Sequence, residues 1–266
     1  MGDAVVITSG KGGVGKTTAV ANLGTALAAM GRSTVVVDAD IGLRNLDVVM
    51  GLENRIVYDL VDVIEGYCRP KQALVRDKRV EGLYLLPAAQ TRDKTAVTPQ
   101  QMRALIQKLK EEFEFVLIDS PAGIEHGFRS AVAGADQAII ITTPEIAAVR
   151  DADRIIGLLE SERLPEPQLL INRIRPAMVR RGDMMDIEDV VEILAIPLLG
   201  IIPEDETVVI STNRGEPVVL MSNSRAGRAF RNIACRLLGE EVPVERLQDS
   251  PGLLERLRRM VRFHDA

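Results

Sequence analysis

No secretory leader, no apolar run long enough to span a bilayer, no cysteine framework and no excess of positive charge are found along this 266-residue chain. The N-terminus enters a strand pattern directly and the later hydrophobic runs are short, so a soluble, cytoplasmic body is expected. Cys68 and Cys235 stand alone, without metal-ligand spacing, and read as neutral thiols in a reducing compartment. The formal net charge of −5 argues against general attraction to nucleic acid. Internal repeats and low-complexity tracts are also missing. The length fits one α/β domain with a substantial core, and a second globular domain is not expected.

What the chain does contain is concentrated first in Gly10-Lys-Gly-Gly-Val-Gly-Lys-Thr-Thr18. This stretch follows a short apolar strand and opens a helical pattern near Lys16. Glycines let several backbone N–H groups converge on one anion, and a helix N-terminus adds partial positive charge. Lys16 then supplies a point charge and Thr17 a hydroxyl for Mg²⁺. Gly10, Gly12 and Gly15 also satisfy G-x-G-x-x-G, with Asp38 near the spacing of a ribose-binding acid, which leaves a dinucleotide open. That reading gives Lys16 and Thr17 no task, whereas G-x-x-x-x-G-K-[ST] uses both. Lys11 is a second loop lysine that an ordinary phosphate loop does not need.

Apolar strand runs alternate with helical patterns, so the expected fold is a doubly wound, mainly parallel sheet with helices on both faces. Strands are predicted at 4–8, 34–38, 83–86, 115–119, 137–142, 168–171 and 198–202. Helices are predicted around 17–30, 57–66, 99–112, 147–162, 187–194 and 225–238. Ligands of such sheets collect beyond the carboxyl ends of the strands, which places the loop, Asp38 to Asp40 and Asp119 to Gly123 in one crevice. Asp119 ends an apolar strand and suits a metal-bound water, although such an aspartate can also cap the next helix. Asp40 is the candidate for orienting the water that attacks a γ-phosphate, and a loop acid or helix cap is its plainer alternative.

Lys11 together with Lys16 resembles the deviant Walker A motif of the MinD/ParA family of ATPases. Asp40-Ile-Gly-Leu-Arg-Asn-Leu-Asp47, Leu86-Pro-Ala-Ala-Gln-Thr-Arg-Asp-Lys94, Gly182-Asp-Met-Met, and Ile202-Pro-Glu-Asp205 with Asn213-Arg-Gly-Glu-Pro217 resemble that family's bacterial septum-placing branch. The similarity covers essentially the whole chain. The nitrogenase iron protein shares the loop, but would require cluster-ligating cysteines that this sequence does not offer.

The resemblance implies a P-loop ATPase using ATP and Mg²⁺, with Gly10, Lys11, Gly12, Gly13, Val14, Gly15, Lys16, Thr17, Thr18 and Gly123 around the phosphates. Thr17 would hold the metal, with Asp38 and Asp119 acting through water. Lys11, Lys16 and Asp40 would be the catalytic set. Two ATP-bound subunits would face each other as a homodimer, Lys11 of each reaching the other's phosphates. Asn172 resembles the adenine-contacting asparagine, with Pro203 and Asp205 on the opposite wall. Arg150, Asp151 and Asp153 would engage regulatory partners, a MinC-like septum inhibitor and a MinE-like or other topological regulator.

The final sixteen residues carry a separate signal. Leu253, Leu254, Leu257, Met260 and Val261 share one helical face, with Phe263 off the stripe and Arg258, Arg259 and Arg262 opposite. The segment holds four arginines and two acids, against 29 basic and 36 acidic residues before it. A short basic amphipathic helix on an acidic body suits an anionic lipid surface, and docking on the body is the alternative. The expected organisation is therefore an ATPase domain over 1–239, a linker over 240–250 and a membrane-targeting helix over 251–266, reversibly peripheral on the inner face of the cell membrane. The tail ends in Phe263-His-Asp-Ala266, a departure from the family's better-known endings. The expected function is division-septum placement. A flagellar-number ATPase or a DNA-partition ATPase stands as the alternative, DNA not being expected as the main partner, and a scaffold with vestigial nucleotide binding is the non-enzymatic reading.

Overall fold

The computed structural model describes residues 1–244 apart from 94, 163 and 165 and the side chain of His126. The predicted tail helix at 251–266 and the linker from 245 onward lie outside the described residues. The chain runs β1 (Asp3–Thr8), α1 (Lys16–Ala29), β2 (Thr34–Asp38), α2 (Leu46–Met50), α3 (Leu60–Ile64), α4 (Pro70–Ala73), β3 (Val75–Arg76), β4 (Leu83–Leu86), α5 (Pro99–Glu112), β5 (Phe115–Asp119), α6 (His126–Val132), β6 (Gln137–Thr142), α7 (Ile146–Ser161), β7 (Gln168–Ile174), α8 (Pro176–Arg180), α9 (Ile187–Leu194), β8 (Leu198–Pro203), α10 (Glu206–Asn213) and α11 (Arg225–Leu237).

The sheet order is β3-β4-β2-β5-β1-β6-β7-β8, parallel throughout except for the antiparallel β3 edge. Strand residues alternate between two buried layers. Val35, Val37, Val116 and Ile118 enter one, under α3, α5, α6, α7 and α9. Val36, Leu117, Ile139 and Ile141 enter the other, under α1, α2 and α11. Because both faces are covered, the strands read as continuous apolar runs, and a one-residue slip would exchange the two layers. In that register β2 and β5 place Asp38 beside Asp119 at their carboxyl ends.

Helix boundaries follow local chemistry. The pattern predicted at 57–66 contracts to α3 because Asp59 accepts from the N–H groups of Val61 and Asp62 while Asp62 accepts from Asp59, fixing the start. Residues 240–244, the first part of the expected linker, are tied to the body. Arg236 donates to the carbonyls of Val242 (2.7 Å), Pro243 (2.7 Å) and Leu199 (2.9 Å), and Val244 packs against the buried layer that holds Val190 and Leu194.

A second arginine joins three distant segments. Arg79 pairs with buried Asp77 (2.6 Å) and donates to the carbonyls of Gly215 (2.7 Å) and Met50. The Asn213–Pro217 motif is thus fastened to the end of α2, the helix that follows the Asp40 loop. Arg79→Met removes these donors and leaves Asp77 buried without its cation, so a loss of about 2–3 kcal/mol is expected. Urea unfolding should show the midpoint falling with the slope unchanged.

Candidate functional site

The loop between β1 and α1 is shaped by Gly15, whose φ of +102° is left-handed, and which precedes the first turn of α1. A Cβ at Gly15 would also lie 2.4 Å from the Asn172 amide nitrogen. Lys16 is buried and its ammonium donates to Ser9 Oγ at 3.0 Å, while the Ser9 hydroxyl donates to the Lys11 carbonyl at 2.8 Å. Burial pulls the Lys16 pKa down, and the charges of Asp119 and Asp40 push it back up. The sequence reading assigned nothing to Ser9, whose only signal was a hydroxyl directly before the glycines.

Asp38 and Asp119 are both buried. Burial, reinforced by the charge of Asp38, raises the Asp119 pKa to about 8, against the opposing hydrogen bond from Thr17 and the charge of Lys16. Asp38 is raised to about 7, also chiefly by burial. Its two oxygens accept from the N–H groups of Asp40 (2.9 Å), Asn45 (3.2 Å) and Leu46 (3.1 Å). The Asp38 carboxylate is thus held by the backbone of the Asp40 loop, and its charge bears on Asp119.

Asp119 differs: Oδ1 is buried and lacks a hydrogen-bond partner. A carboxylate oxygen in that condition, beside the Thr17 hydroxyl, is a donor set suited to a hard cation or its water. No cluster of three or more His, Cys, Asp or Glu among the described residues could hold a metal. The residues present therefore fit Mg²⁺ arriving with phosphate oxygens rather than a dedicated protein cage.

Family-specific motifs hold the Asp40 loop from behind. The Gly42 N–H donates to the Ala89 carbonyl (2.9 Å), and the Leu43 and Arg44 N–H groups donate to the Asp40 carbonyl (3.2 Å each). Arg44 Nε approaches the buried Asp47 carboxylate at 2.9 Å. On the other side of the crevice, the Gly123 N–H donates to the Ser9 carbonyl across 3.3 Å, linking the turn after β5 to the phosphate loop.

The predicted base-binding residues converge. Asn172, Pro203 and Asp205 line a pocket of about 100 Å³ with Gly15, Thr18 and Val208. Asn172 donates to the Val14 carbonyl (2.7 Å) and accepts from the Arg173 N–H (2.9 Å), so its amide is held in place against the loop. Asp205 shapes the pocket differently from expectation. Its carboxylate accepts from Thr207 N–H (3.0 Å), Ser224 Oγ (2.9 Å) and Ala226 N–H (3.0 Å), capping α10 and reaching the start of α11. Partial burial raises its pKa, but these hydrogen bonds outweigh burial and bring it to about 2.

The two loop lysines point into different surroundings. Lys16 is enclosed, whereas the Lys11 side chain is 46% exposed and pairs with Glu145 at 3.5 Å. Glu145 precedes α7, the helix carrying Arg150, Asp151 and Asp153, of which Arg150 and Asp153 are exposed. A Cβ at Gly10 would lie 2.3 Å from the Asp151 carbonyl oxygen. The phosphate loop and the predicted partner helix are thus in direct contact, an adjacency that the sequence does not announce.

The family described as the CobQ/CobB/MinD/ParA nucleotide binding domain matches residues 5–218. The septum site-determining protein MinD of Bacillus subtilis is 59% identical, the alignment covering 97% of each chain. Among solved structures, the MinC:MinD cell division protein complex of Aquifex aeolicus superposes with a TM-score of 0.87 at 48% identity, covering 92% of this chain and 100% of that one. The septum site-determining protein MinD of Pyrococcus horikoshii, complexed with Mg-ADP, gives 0.82 at 31% identity, covering 91% and 100%.

Gly15→Ala forces a left-handed alanine against Asn172, and nucleotide affinity measured by calorimetry is expected to fall about tenfold or more. The acidic pair predicts opposite pH slopes for binding and for stability. Asp119 must lose its proton to meet a cation, so Mg–nucleotide affinity should rise with pH through about 8. The folded pKa lies above the unfolded one, so the stability this group contributes is complete at low pH and is lost as pH rises through about 8 in the nucleotide-free protein. Asp119→Asn should flatten both profiles.

Proposed function

We propose a function for this chain from the premise that it belongs to the MinD branch of the CobQ/CobB/MinD/ParA nucleotide-binding family. It is a Mg²⁺-dependent ATPase that regulates placement of the division septum. The observation that carries our reading of its cycle is the division of labour between the loop lysines, one buried beside the acids and one on the open face.

The loop N–H groups and Lys16 bind and orient the triphosphate. Mg²⁺, when bound, supplies positive charge to the β- and γ-phosphate oxygens. Thr17 would hold it directly, and Asp119 Oδ1 would hold one of its waters. Asp40, in electrostatic contact with Lys16 and fixed by the loop behind it, orients the attacking water in line with the γ-phosphorus. Asn172, against the loop, presents its amide to the adenine edge beside Pro203.

Lys11 exchanges Glu145 for the phosphates of a second ATP-bound copy. Two facing polyanions repel unless cations lie between them, so a lysine in trans makes the dimer depend on the triphosphate. The pairing of MinC with MinD in the Aquifex aeolicus complex supports a MinC-like septum inhibitor as the partner recruited. Arg150, Asp151 and Asp153 form the surface for that inhibitor or for a MinE-like regulator that stimulates hydrolysis. Residues 1–239 act as the ATPase unit, and 240–250 lead to the targeting segment 251–266.

No helix among the described residues is long and apolar enough to cross a membrane. Attachment falls to Leu253, Leu254, Leu257, Met260, Val261 and Phe263, with Arg258 facing the headgroups. One such segment binds marginally, while two joined by ATP gain effective concentration on one surface. The protein would therefore be peripheral on the inner face of the cell membrane only while paired, and hydrolysis would return it to the cytoplasm.

Co-sedimentation with anionic vesicles tests this reading. Binding is expected with ATP and not with ADP, and Leu257→Glu should abolish it. Lys11→Ala should retain ATP binding within a few-fold but show no ATP-dependent increase in mass by light scattering. Equal sedimentation with either nucleotide would refute the cycle, and a low-salt DNA shift exceeding vesicle binding would favour DNA partition.

A further inference from the structure

Ser9 has no task in the cycle above, yet its side chain is where the two loop lysines meet. It is buried directly after β1, on backbone that is fixed to either side: Thr8 pairs with Ile140 in the sheet, and a Cβ at Gly10 would strike the Asp151 carbonyl. The Ser9 carbonyl in turn accepts from the Gly123 N–H. A serine hydroxyl has one proton to give and two lone pairs to receive with. The proton goes to the Lys11 carbonyl at 2.8 Å, and one lone pair receives the Lys16 ammonium at 3.0 Å. A single oxygen on a rigid strand end thus touches the backbone of one lysine and the head group of the other.

Each lysine has its own need of that oxygen. Lys16 carries a point charge on a flexible four-carbon stem, and the charges of Asp119 and Asp40 attract it. Asp119 is also the acid whose unpartnered oxygen suits a water of Mg²⁺. An ammonium drawn onto that carboxylate would take the place of the metal instead of joining it at the phosphates. Ser9 is a neutral anchor that engages one of the three ammonium N–H groups, leaving two for phosphate oxygens. At Lys11 the need is for a fixed backbone. Lys11, Gly12 and Gly13 are exposed, and a Cβ on either glycine would meet open space, so side-chain packing does little to hold this crest of the loop. The bond from Ser9 to the Lys11 carbonyl ties it to the end of β1.

We propose that Ser9 is a positioning residue of the ATPase, whose hydroxyl holds Lys16 off Asp119 and fixes the turn from which Lys11 projects. The lysine that grips the chain's own triphosphate and the lysine that reaches a second copy are then set by the same atom. The Lys16 arm of this proposal needs only the ATPase, whereas the Lys11 arm rests on the pairing described under the proposed function.

Ser9→Ala removes the hydroxyl without adding volume. Calorimetry with Mg-ADP should show binding about three- to tenfold weaker, and hydrolysis at saturating ATP should fall about tenfold or more, a loss in kcat that excess substrate does not repair. Ser9→Thr keeps the hydroxyl and should bring both quantities back to within about threefold of the unaltered protein. In the Lys11→Ala chain, where turnover by pairs is expected to be lost, Ser9→Ala should still weaken Mg-ADP binding by the same factor. Urea midpoints establish that folded chains are being compared; if the alanine chain does not fold, Ser9→Cys, whose thiol is a weak donor and acceptor, is measured in its place. Unchanged Mg-ADP affinity or unchanged kcat in the folded variant would overturn the proposal. So would losses that a folded Ser9→Thr chain does not recover, since the hydroxyl would then not be the agent. If Lys11→Ala pairs and turns over like the unaltered protein while Ser9→Ala weakens Mg-ADP binding in both backgrounds, the Lys16 arm stands and the pairing reading falls.

Discussion

Everything in the crevice depends on like charges held at the ends of adjacent parallel strands. Backbone pairing of β2 with β5 sets Asp38 beside Asp119, and no side-chain rearrangement can separate two positions fixed by sheet register. The fold tolerates the arrangement by giving Asp38 three backbone donors and Asp119 a neighbouring lysine and hydroxyl. The residual electrostatic cost is a demand for positive charge at one place. A site that binds a metal–phosphate complex with affinity must begin with such a demand unmet.

The same crevice is mechanically continuous with the surface on which other proteins would act. Gly10 lies against the backbone of Asp151, so α7 cannot shift towards the loop without moving it. Closely packed backbone has little compliance, and displacement at one side of such a contact is transmitted to the other. The Leu86–Lys94 segment provides comparable support behind Asp40 through the Ala89 carbonyl. The phosphate loop is thus braced by α7 and the Asp40 loop by the Leu86–Lys94 segment.

Much of this was legible in the sequence, for reasons that particular residues make plain. The seven longer strands stand out because burial on both faces makes them uninterrupted apolar runs. The eighth, β3, pairs through only Val75 and Arg76 and offers no periodicity to detect. Short helices such as α2 and α8 escaped notice because five residues cannot display an amphipathic repeat. The phosphate loop is contiguous and could be read outright, whereas the Lys11–Glu145 pair spans 134 positions and exists only once α7 packs beside the loop. Asp205 lines one pocket with Asn172 and Pro203, but which way its carboxylate turns is decided by Ser224 and Ala226, which nothing in its own neighbourhood reveals.

The link from the Gly123 amide to the Ser9 carbonyl bears on how quickly such a site can change state. At 3.3 Å it is a long bond between neutral groups. A phosphate oxygen offers the same amide a charged acceptor, so one hydrogen bond is traded for a stronger one without any donor being stranded. Were a phosphate to reach the turn after β5, this amide would change acceptor without being left unpaired.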